Sequence, residues 1–298
     1  MTIESGIYAA SVSITRQDLS LDADQTINHA SGLIEKENCT GIVLLGSTAQ
    51  GQYLPLREKK ELIEKAGASK HKNNFILGTA SNSILENLEL IKHGLSNGIK
   101  KYLLMPPAYF SKIYNDDGVY KYFASLIEKL PEQIFICLYN YEKLCGYKFS
   151  IPVIERLHRD FPKFVVSAKD SSGNLINELD IDSFKLFPGT ELHLLEGLRS
   201  KKTHGLISAV ANISSKISRK VYDDHLNKKK QTVNDLNCSI RKIMDKRSLI
   251  AGVHSFLSHA DKKYIPIIPP LSPLSVNEEK EMMNELKTLN FYPERKAA

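Results

Sequence analysis

The sequence has few cysteines and none in a pattern that binds metal or forms a redox pair. Cys39, Cys137, Cys145 and Cys238 include no CxxC pair and have no histidine at metal-ligand spacing. Cys137 lies in an apolar run, where a free thiol usually serves as a small core residue. Unpaired cysteines are typical of a reducing compartment, so we predict a cytoplasmic protein.

Long apolar segments and concentrated charge are also missing. No stretch of about 18 apolar residues occurs, and residues 1–8 show no basic segment followed by an apolar one, so we expect neither a membrane span nor a signal peptide. The net charge of +6 is scattered. Its densest run, 228–230, is interpreted as a solvated helix face, and no nucleic-acid-reading motif accompanies it, so we predict no nucleic-acid partner.

What the sequence does have is a repeated alternation of short apolar runs and segments of helical periodicity. The runs mostly lack polar alternation, as expected of parallel strands buried on both faces. Eight such units favour a closed (β/α)8 barrel, the TIM-barrel class of α/β folds. An open doubly wound sheet is the alternative, but it usually has a glycine-rich loop after its first strand, and residues 7–15 have none. The predicted strands are Ile7–Val12, Gly41–Leu45, Asn74–Thr79, Lys101–Met105, Ile134–Tyr139, Phe164–Lys169, Phe184–Phe187 and Gly205–Val210.

The periodic segments between the strands predict amphipathic helices. In one of them, Ser81 or Asn82 is expected to cap the first amides, and Gly98 to end the helix. Residues 214–298 are mostly helical in pattern, are divided by a proline-rich segment, and end with a helix expected to begin near Ser275. We therefore predict a barrel over residues 1–213 and a C-terminal helical extension over 214–298, packed on the barrel or on a neighbouring subunit. The two clearest apolar stripes are Ile84, Leu88, Ile91 and Leu95, and Val119, Tyr122, Phe123 and Leu126.

In such a barrel the chemistry sits at the carboxyl ends of the strands, where Lys169 is the most specific candidate. It follows Phe164–Ala168 of the predicted sixth strand, so its amine is expected in the barrel mouth, where desolvation lowers its pKa. A neutral amine can attack a ketone and form an imine. The alternative is an internal salt bridge of Lys169 with Asp170 or Glu191, and position alone leaves both open.

Tyr139 ends the preceding strand, and its hydroxyl is expected to face Lys169 across the mouth. Imine formation and aldol cleavage both need a group that moves protons, and a phenol beside an ammonium can serve. A lone tyrosine at a strand end is more often a packing residue. The pairing with Lys169 favours the catalytic interpretation.

Two further strand ends suggest contacts with an anion or a close ligand. Ser47 and Thr48 follow Gly46 on a turn after the second strand, where clustered amides and hydroxyls suit a carboxylate, although the same tripeptide also fits an ordinary loop. Gly189 after the seventh strand can let a substrate approach the backbone, or can be a simple turn glycine.

Taken together, these strand ends resemble the family of dihydrodipicolinate synthase and N-acetylneuraminate lyase over essentially the whole chain. The lysine block, with the tyrosine block upstream of it, is the specific part of the resemblance. The blocks that carry it are Gly46-Ser47-Thr48, Leu138-Tyr139-Asn140, Ala168–Asn174 and Gly205–Asn212.

The resemblance implies that Lys169 forms an imine with pyruvate or another 2-keto acid and that Tyr139 transfers protons. It implies that the hydroxyls and amides around residues 47 and 48 hold the keto-acid carboxylate. Tyr109 matches a second tyrosine, close to a subunit interface, that supports the proton relay. The resemblance further implies a homotetramer with no metal or organic cofactor. The remaining residues expected to contact substrate are Ser171, Gly189, Glu191 and Ala209.

Departures from the family pattern narrow the expected activity. Leu144 stands where lysine-pathway synthases have an arginine, which argues against a dihydrodipicolinate synthase. The pairs Ala49-Gln50 and Glu191-Leu192 depart from the sialic-acid lyases. The chain most resembles the archaeal 2-keto-3-deoxygluconate aldolases, in the segments Pro106–Phe110, Tyr139–Tyr141 with Gly146-Tyr147, and Pro266–Pro273. Lys112 matches one of their phosphate-binding arginines. A lysine cannot bind phosphate through two parallel hydrogen bonds as an arginine does, so we predict that the preferred substrate is the unphosphorylated sugar acid.

Sequence analysis therefore predicts a Schiff-base aldolase that reversibly cleaves 2-keto-3-deoxygluconate to pyruvate and glyceraldehyde. An N-acetylneuraminate lyase, or another pyruvate-dependent aldolase or dehydratase of the same family, is the alternative. A metal-dependent barrel enzyme would need acidic and histidine clusters at strand ends, and the nearest histidine, His204, is expected at the surface. A silent relative acting as a regulator or scaffold would have no need for the Lys169–Tyr139 pair.

Overall fold

The computed structural model describes residues 2–110 and 113–293, so Lys112 lies outside the described residues. Within them, eight parallel strands form one sheet in the order β7-β6-β5-β4-β3-β2-β1-β8. This order is that of a (β/α)8 barrel and confirms the predicted fold class. The strands are β1 Gly6–Ala10, β2 Gly41–Leu44, β3 Phe75–Gly78, β4 Lys101–Leu104, β5 Phe135–Asn140, β6 Val165–Asp170, β7 Lys185–Pro188 and β8 Gly205–Ser208.

Helices follow the strands and cover the outside of the barrel. The barrel helices are α1 Ala23–Glu35, α2 Leu56–Ala68, α3 Ile84–Ser96, α4 Asp116–Ile127, α5 Glu142–Cys145, α6 Ile151–Asp160, α7 Leu175–Glu178 and α8 Leu194–Arg199. Those after the last strand are α9 Ala211–Leu226, α10 Asn234–Met244, α11 Leu249–Ser258 and α12 Val276–Thr288. In the described ranges, no helix is long and apolar enough to cross a lipid bilayer.

The seam between β7 and β8 is closed by a residue that the sequence placed at the surface. His204 donates its backbone N–H to the Leu186 carbonyl at 2.8 Å, and its ring Nδ1 accepts the Leu186 N–H at 3.3 Å. The side chain is half-buried. The surface expectation for His204 was therefore wrong, because its position one residue before β8 makes it the partner of β7.

The strands lack polar alternation because the barrel buries both of their faces. Inside, Tyr8 packs edge-on against Phe187 with ring centroids 5.7 Å apart, and both are almost fully buried. Outside, the predicted stripes of α3 and α4 face the sheet, and Leu88, Ile91 and Phe123 are buried there. Apolar burial on two faces supplies the main stabilisation of such a barrel.

The start of α3 differs from the prediction by one or two residues. Ser83 caps the helix: its backbone is extended and its Oγ accepts the Glu86 N–H at 3.3 Å. Asn82 instead accepts the Ala108 N–H at 2.8 Å and ties the loop after β3 to the loop after β4. Capping needs extended backbone at the cap residue, which sequence type alone does not assign.

The helices after β8 pack over the carboxyl end of β1. Val12 and Val210 share a buried cluster with Ile240, Met244 and Val253 of α10 and α11. Ser275 caps α12 in a capping box with Glu278, close to the predicted start. The basic run 228–230 follows the end of α9 in an exposed loop, so its assignment to a helix face was wrong. The boundary at residue 213 stays a prediction; the backbone of α9 departs from helical geometry one residue later, at Ser214.

Candidate active site

Lys169 and Tyr139 are direct neighbours across two parallel strands. Tyr139 of β5 pairs in register with Lys169 of β6, so both side chains leave the barrel wall at the same level. The Lys169 Nζ lies 4.4 Å from the centroid of the Tyr139 ring. The amine therefore rests on the face of the ring, a position favoured by the ring quadrupole, while the phenol hydroxyl points elsewhere.

The two carboxylates named as alternative partners of Lys169 are engaged with other groups. Glu191 forms an ion pair with Arg241 at 3.0 Å. The Asp170 carboxylate accepts the amides of Gly173 and Leu175 at 2.8 Å each and also the Asn140 side chain. Within the described residues Lys169 has no ion pair, so the structure does not form the alternative salt bridge with Asp170 or Glu191.

Burial without a paired carboxylate changes the ionisation of Lys169. The side chain is only 4% exposed, and desolvation of the ammonium lowers its pKa to about 8. The positive charge of Arg241 lowers it further, whereas the negative charges of Glu191 and of Cys137, when Cys137 is a thiolate, act in the opposite direction. A substantial fraction of the amine is then neutral near pH 8, as a nucleophile requires.

The Tyr139 hydroxyl is directed to the turn after β2. It lies 3.1 Å from Ser47 Oγ, and burial raises the pKa of the phenol, while the hydroxyls of Ser47 and Ser171 partly offset this rise. Among the described residues this hydroxyl makes no hydrogen bond with the Lys169 amine. That it faces Lys169 across the mouth stays a prediction.

The turn that follows β2 is held in an unusual backbone conformation. Leu45 and Gln50, on either side of it, have φ of 56° and 54°, a region that residues other than glycine rarely occupy. Gly51 packs so closely on the Leu45 carbonyl that a Cβ there would lie 2.4 Å from its oxygen. In the described chain the amides of Ser47 and Thr48 donate no hydrogen bond. They are therefore available to a carboxylate.

A polar network behind Lys169 fixes the loop after β6. The Asn140 amide donates to Asp170 and to Asn174 at 2.8 Å each, and its oxygen accepts the Phe149 N–H at 3.1 Å. All of these groups are satisfied, and such networks hold the backbone rigidly. The loop that carries Ser171 thus starts from a fixed point beside Lys169.

The ends of β7 and β8 hold the other predicted contact residues. A Cβ at Gly189 would lie 2.2 Å from Ser171 Oγ, so this glycine makes room for a neighbouring side chain. The Ala209 carbonyl accepts the Asn212 side chain at 2.7 Å. Glu191 is completely buried and one of its oxygens, Oε1, has no hydrogen-bond partner among the described residues. In this geometry Glu191 faces Arg241 instead of open solvent.

Arg241 was not anticipated from the sequence. It lies on α10 in the C-terminal extension, and its NH1 donates to the Gly189 carbonyl and to Glu191 at 3.0 Å each, and to Ser208 at 3.4 Å. Its Nε bonds both carboxylate oxygens of Asp245 at 2.9 Å. The spacing of Arg241 and Asp245 predicts only an ordinary helix surface pair, so no local signal identified this residue.

Tyr109 is not brought to the Lys169–Tyr139 pair within one chain. It is 82% exposed, and its ring packs edge-on against Phe110 at 5.3 Å. In the described residues it makes no hydrogen bond or ring contact with Tyr139. Its predicted part in a relay would require another subunit, and the relay and the homotetramer both stay predictions.

A cavity of about 670 Å³ opens beside Ser47 and Tyr139. It extends from them past Thr79 and Met105 toward the loops after β3 and β4, and Leu144 also lines it. Gly189, which was expected to let a substrate approach the backbone, is not among the residues that line this cavity. Within residues 2–110 and 113–293, no group of three or more histidine, cysteine or acidic side chains is placed to hold a metal ion.

The comparisons with known proteins place this barrel in a family of lyases. The chain belongs to the Dihydrodipicolinate synthetase family, which it matches over residues 4–289. An uncharacterised DapA-like lyase of Thermococcus kodakarensis is 24% identical over 292 residues, covering 95% of this chain and 98% of that protein. A 4-hydroxy-tetrahydrodipicolinate synthase of Methanococcoides burtonii is 27% identical, covering 95% and 98% of the two chains.

Solved structures show the same fold. Dihydrodipicolinate synthase from Agrobacterium tumefaciens superposes with a TM-score of 0.85 at 24% identity, over 96% of this chain and 99% of that one. YagE, a prophage protein of the dihydrodipicolinic acid synthase family from E. coli K12 in complex with pyruvate, gives a TM-score of 0.86 at 18% identity, over 96% and 99% of the two chains. The predicted family resemblance is thus confirmed.

Proposed function

We propose that this protein is a Schiff-base aldolase that reversibly cleaves 2-keto-3-deoxygluconate to pyruvate and glyceraldehyde. The observation that carries the proposal is a buried lysine without a paired carboxylate, lying on the ring of a strand-end tyrosine. A buried ammonium that nothing neutralises costs stability, and such groups concentrate at functional sites.

The first half of the reaction forms the imine. The substrate carboxylate binds the amides and hydroxyls of Ser47 and Thr48, and the neutral Lys169 amine attacks the C2 ketone. A proton moves from nitrogen to oxygen, giving a carbinolamine. Because burial keeps the Tyr139 phenol protonated, it donates its proton to the departing hydroxyl. Water leaves, and the protonated imine and a phenolate remain.

The second half cleaves the carbon chain. The phenolate takes the C4 hydroxyl proton, the C3–C4 bond breaks, and its electron pair moves into the imine to give an enamine. Glyceraldehyde leaves. Tyr139 returns the proton to C3, and water hydrolyses the imine, releasing pyruvate and the free Lys169 amine. Each proton that Tyr139 gives is recovered in the following step, so the group acts catalytically.

Two features favour a sugar acid over the synthase reaction. Leu144, 41% exposed on the wall of the cavity, offers no charge to a second carboxylate. The strand ends also resemble those of the archaeal 2-keto-3-deoxygluconate aldolases. That YagE was crystallised in complex with pyruvate supports a 2-keto acid as the imine partner.

Borohydride reduction in the presence of pyruvate tests the covalent chemistry. We expect mass spectrometry to find a reduced adduct on Lys169, and its absence would defeat the proposal. A panel of 2-keto-3-deoxy sugar acids, with and without phosphate, then tests the substrate. Condensation of pyruvate with aspartate semialdehyde, without sugar-acid cleavage, would identify a synthase instead.

The rate of adduct formation is expected to depend on pH through Lys169. Because burial lowers the pKa of this amine to about 8, the neutral form and hence the initial trapping rate rise as pH increases through about 8. Initial rates of adduct formation between about pH 6 and about pH 11.5, a range that also covers the ordinary lysine value, measure this. A midpoint near the ordinary lysine value of about 10.4 would show that the amine is not desolvated in solution.

A further inference from the structure

A buried ion pair joins α10 of the C-terminal helices to the end of β7. Its members are Arg241 of α10, 11% exposed, and Glu191, fully buried, joined at 3.0 Å. The family resemblance assigned Glu191 to substrate contact and did not single out Arg241. The pair lies where Lys169 emerges: Phe187 is the register partner of Lys169, and two residues later the Gly189 carbonyl accepts from Arg241.

We propose that Arg241 and Glu191 are positioning residues that act as opposed charges on Lys169, and so set the pH range in which its amine is nucleophilic. This proposal rests on the function proposed above for Lys169. Neither residue needs to touch the substrate for it to hold.

The anchoring of the pair supports a fixed electrostatic role. NH1 of Arg241 has three acceptors, on Gly189, Glu191 and Ser208, while Nε is held by both oxygens of Asp245. A guanidinium bound at two nitrogens keeps its position through its planar geometry. Charges fixed in a water-poor site interact more strongly than exposed ones.

The signs of the two effects are opposite. The positive charge of Arg241 disfavours the ammonium form of Lys169, whereas the negative charge of Glu191 favours it. Removing Arg241 therefore raises the pKa of Lys169, and removing the charge of Glu191 lowers it. Asp245 still holds Arg241 when Glu191 is neutral, so the guanidinium stays in place.

The other titratable groups near Lys169 do not raise and lower its pKa in this opposed way. Asp170 is engaged by the loop amides, and burial raises the pKa of the Cys137 thiol to about 12, so this thiol is uncharged at the pH values used. The titratable and charged groups that act on Lys169 from the packed elements are Cys137 on β5, Glu191 after β7 and Arg241 on α10, and the Tyr139 ring lies against its amine. Asp170 follows Lys169 on the same strand and therefore points to the other face of the sheet.

The test measures the pH midpoint of borohydride-trapped pyruvate adduct in four variants. Arg241→Gln is expected to move the midpoint up by roughly one pH unit and Glu191→Gln to move it down by a similar amount. Arg241→Lys keeps the positive charge but removes the paired hydrogen bonds of the guanidinium. Its midpoint should therefore stay near that of the unaltered protein. Arg247→Gln removes an equally buried arginine that pairs with Glu285, and it should not move the midpoint.

The outcomes separate this proposal from the function on which it rests. Absence of any adduct in the unaltered protein refutes the proposed function. Competitive acylation by acetic anhydride then still reports the ionisation of Lys169 against pH, so the charge effect remains measurable. If the Arg241→Gln and Glu191→Gln midpoints move in the same direction, or neither moves, the pair has only a structural role. If Arg241→Gln fails to fold, the midpoints of Arg241→Lys and Glu191→Gln provide the test. A midpoint that moves down in Glu191→Gln and stays unchanged in Arg241→Lys supports the proposal. An unchanged midpoint in Glu191→Gln overturns it.

Discussion

Replacing Lys169 with alanine is expected to remove aldol cleavage and the borohydride-trapped adduct together. The reaction runs through a covalent imine, and no other amine is paired in register with Tyr139 at this strand end. Loss of a covalent nucleophile typically lowers turnover by roughly 10⁴-fold or more. Turnover with a sugar acid and intact-mass measurement after reduction with pyruvate give the two readouts.

Lys101→Ala is the matched control. Lys101 is also a strand lysine that is almost fully buried, but it lies at the first residue of β4, where its Nζ donates to the Asn73 carbonyl at 2.7 Å. This is the opposite end of the barrel from the mouth. The control should keep the adduct on Lys169, and circular dichroism should show that both variants fold. Sustained cleavage by Lys169→Ala would rule out the Schiff-base mechanism.

Replacing Tyr139 with phenylalanine is expected to slow turnover by roughly 10²- to 10⁴-fold while leaving the imine detectable. The substitution keeps the ring on which the Lys169 amine lies and removes only the hydroxyl near Ser47. Imine formation then lacks its proton donor, and cleavage lacks its base. Time courses of adduct trapping and of sugar-acid cleavage should separate the two effects, with cleavage affected more.

Tyr141→Phe provides the comparison for this variant. The Tyr141 ring lies 5.9 Å from the Tyr139 ring and is only half-buried, and within the described residues its hydroxyl makes no hydrogen bond. Removing that hydroxyl should change turnover by less than about tenfold, because no proton path is assigned to it. Equal losses in the two variants would mean that the effect is not specific to the Tyr139 hydroxyl.

The fold could be predicted from the sequence because its signals are local and repeated. Eight apolar runs without polar alternation, each followed by a helical stripe, specify parallel strands buried on both faces. The predictions were wrong where the backbone conformation of a single residue determines a helix cap or a contact between strands. Ser83 caps α3 in place of its predecessors, and His204 joins β7 to β8, because both depend on backbone geometry that residue type does not encode.

The site was predictable only in part, for a related reason. Lys169, Tyr139 and Ser47 follow from their places at strand ends, and the structure brings them together as neighbours. Sequence position left the choice between an ion-paired and an unpaired Lys169 open. Whether Lys169 is paired depends on which cation binds Glu191. In the structure this cation is Arg241, 50 residues further along the chain.

The sequence by itself determined the barrel and placed Lys169 and Tyr139 at neighbouring strand ends, because periodicity and strand-end position are properties of short segments. Its strand-end motifs carried the resemblance to the family. Only the tertiary structure decided how the buried charges at the mouth are matched. Because α10 packs against the ends of β7 and β8, Glu191 forms its ion pair with Arg241. The Lys169 amine is therefore left without a paired carboxylate. Desolvation then lowers the pKa of that amine to about 8, because a buried ammonium is stabilised only by the partners that the fold supplies.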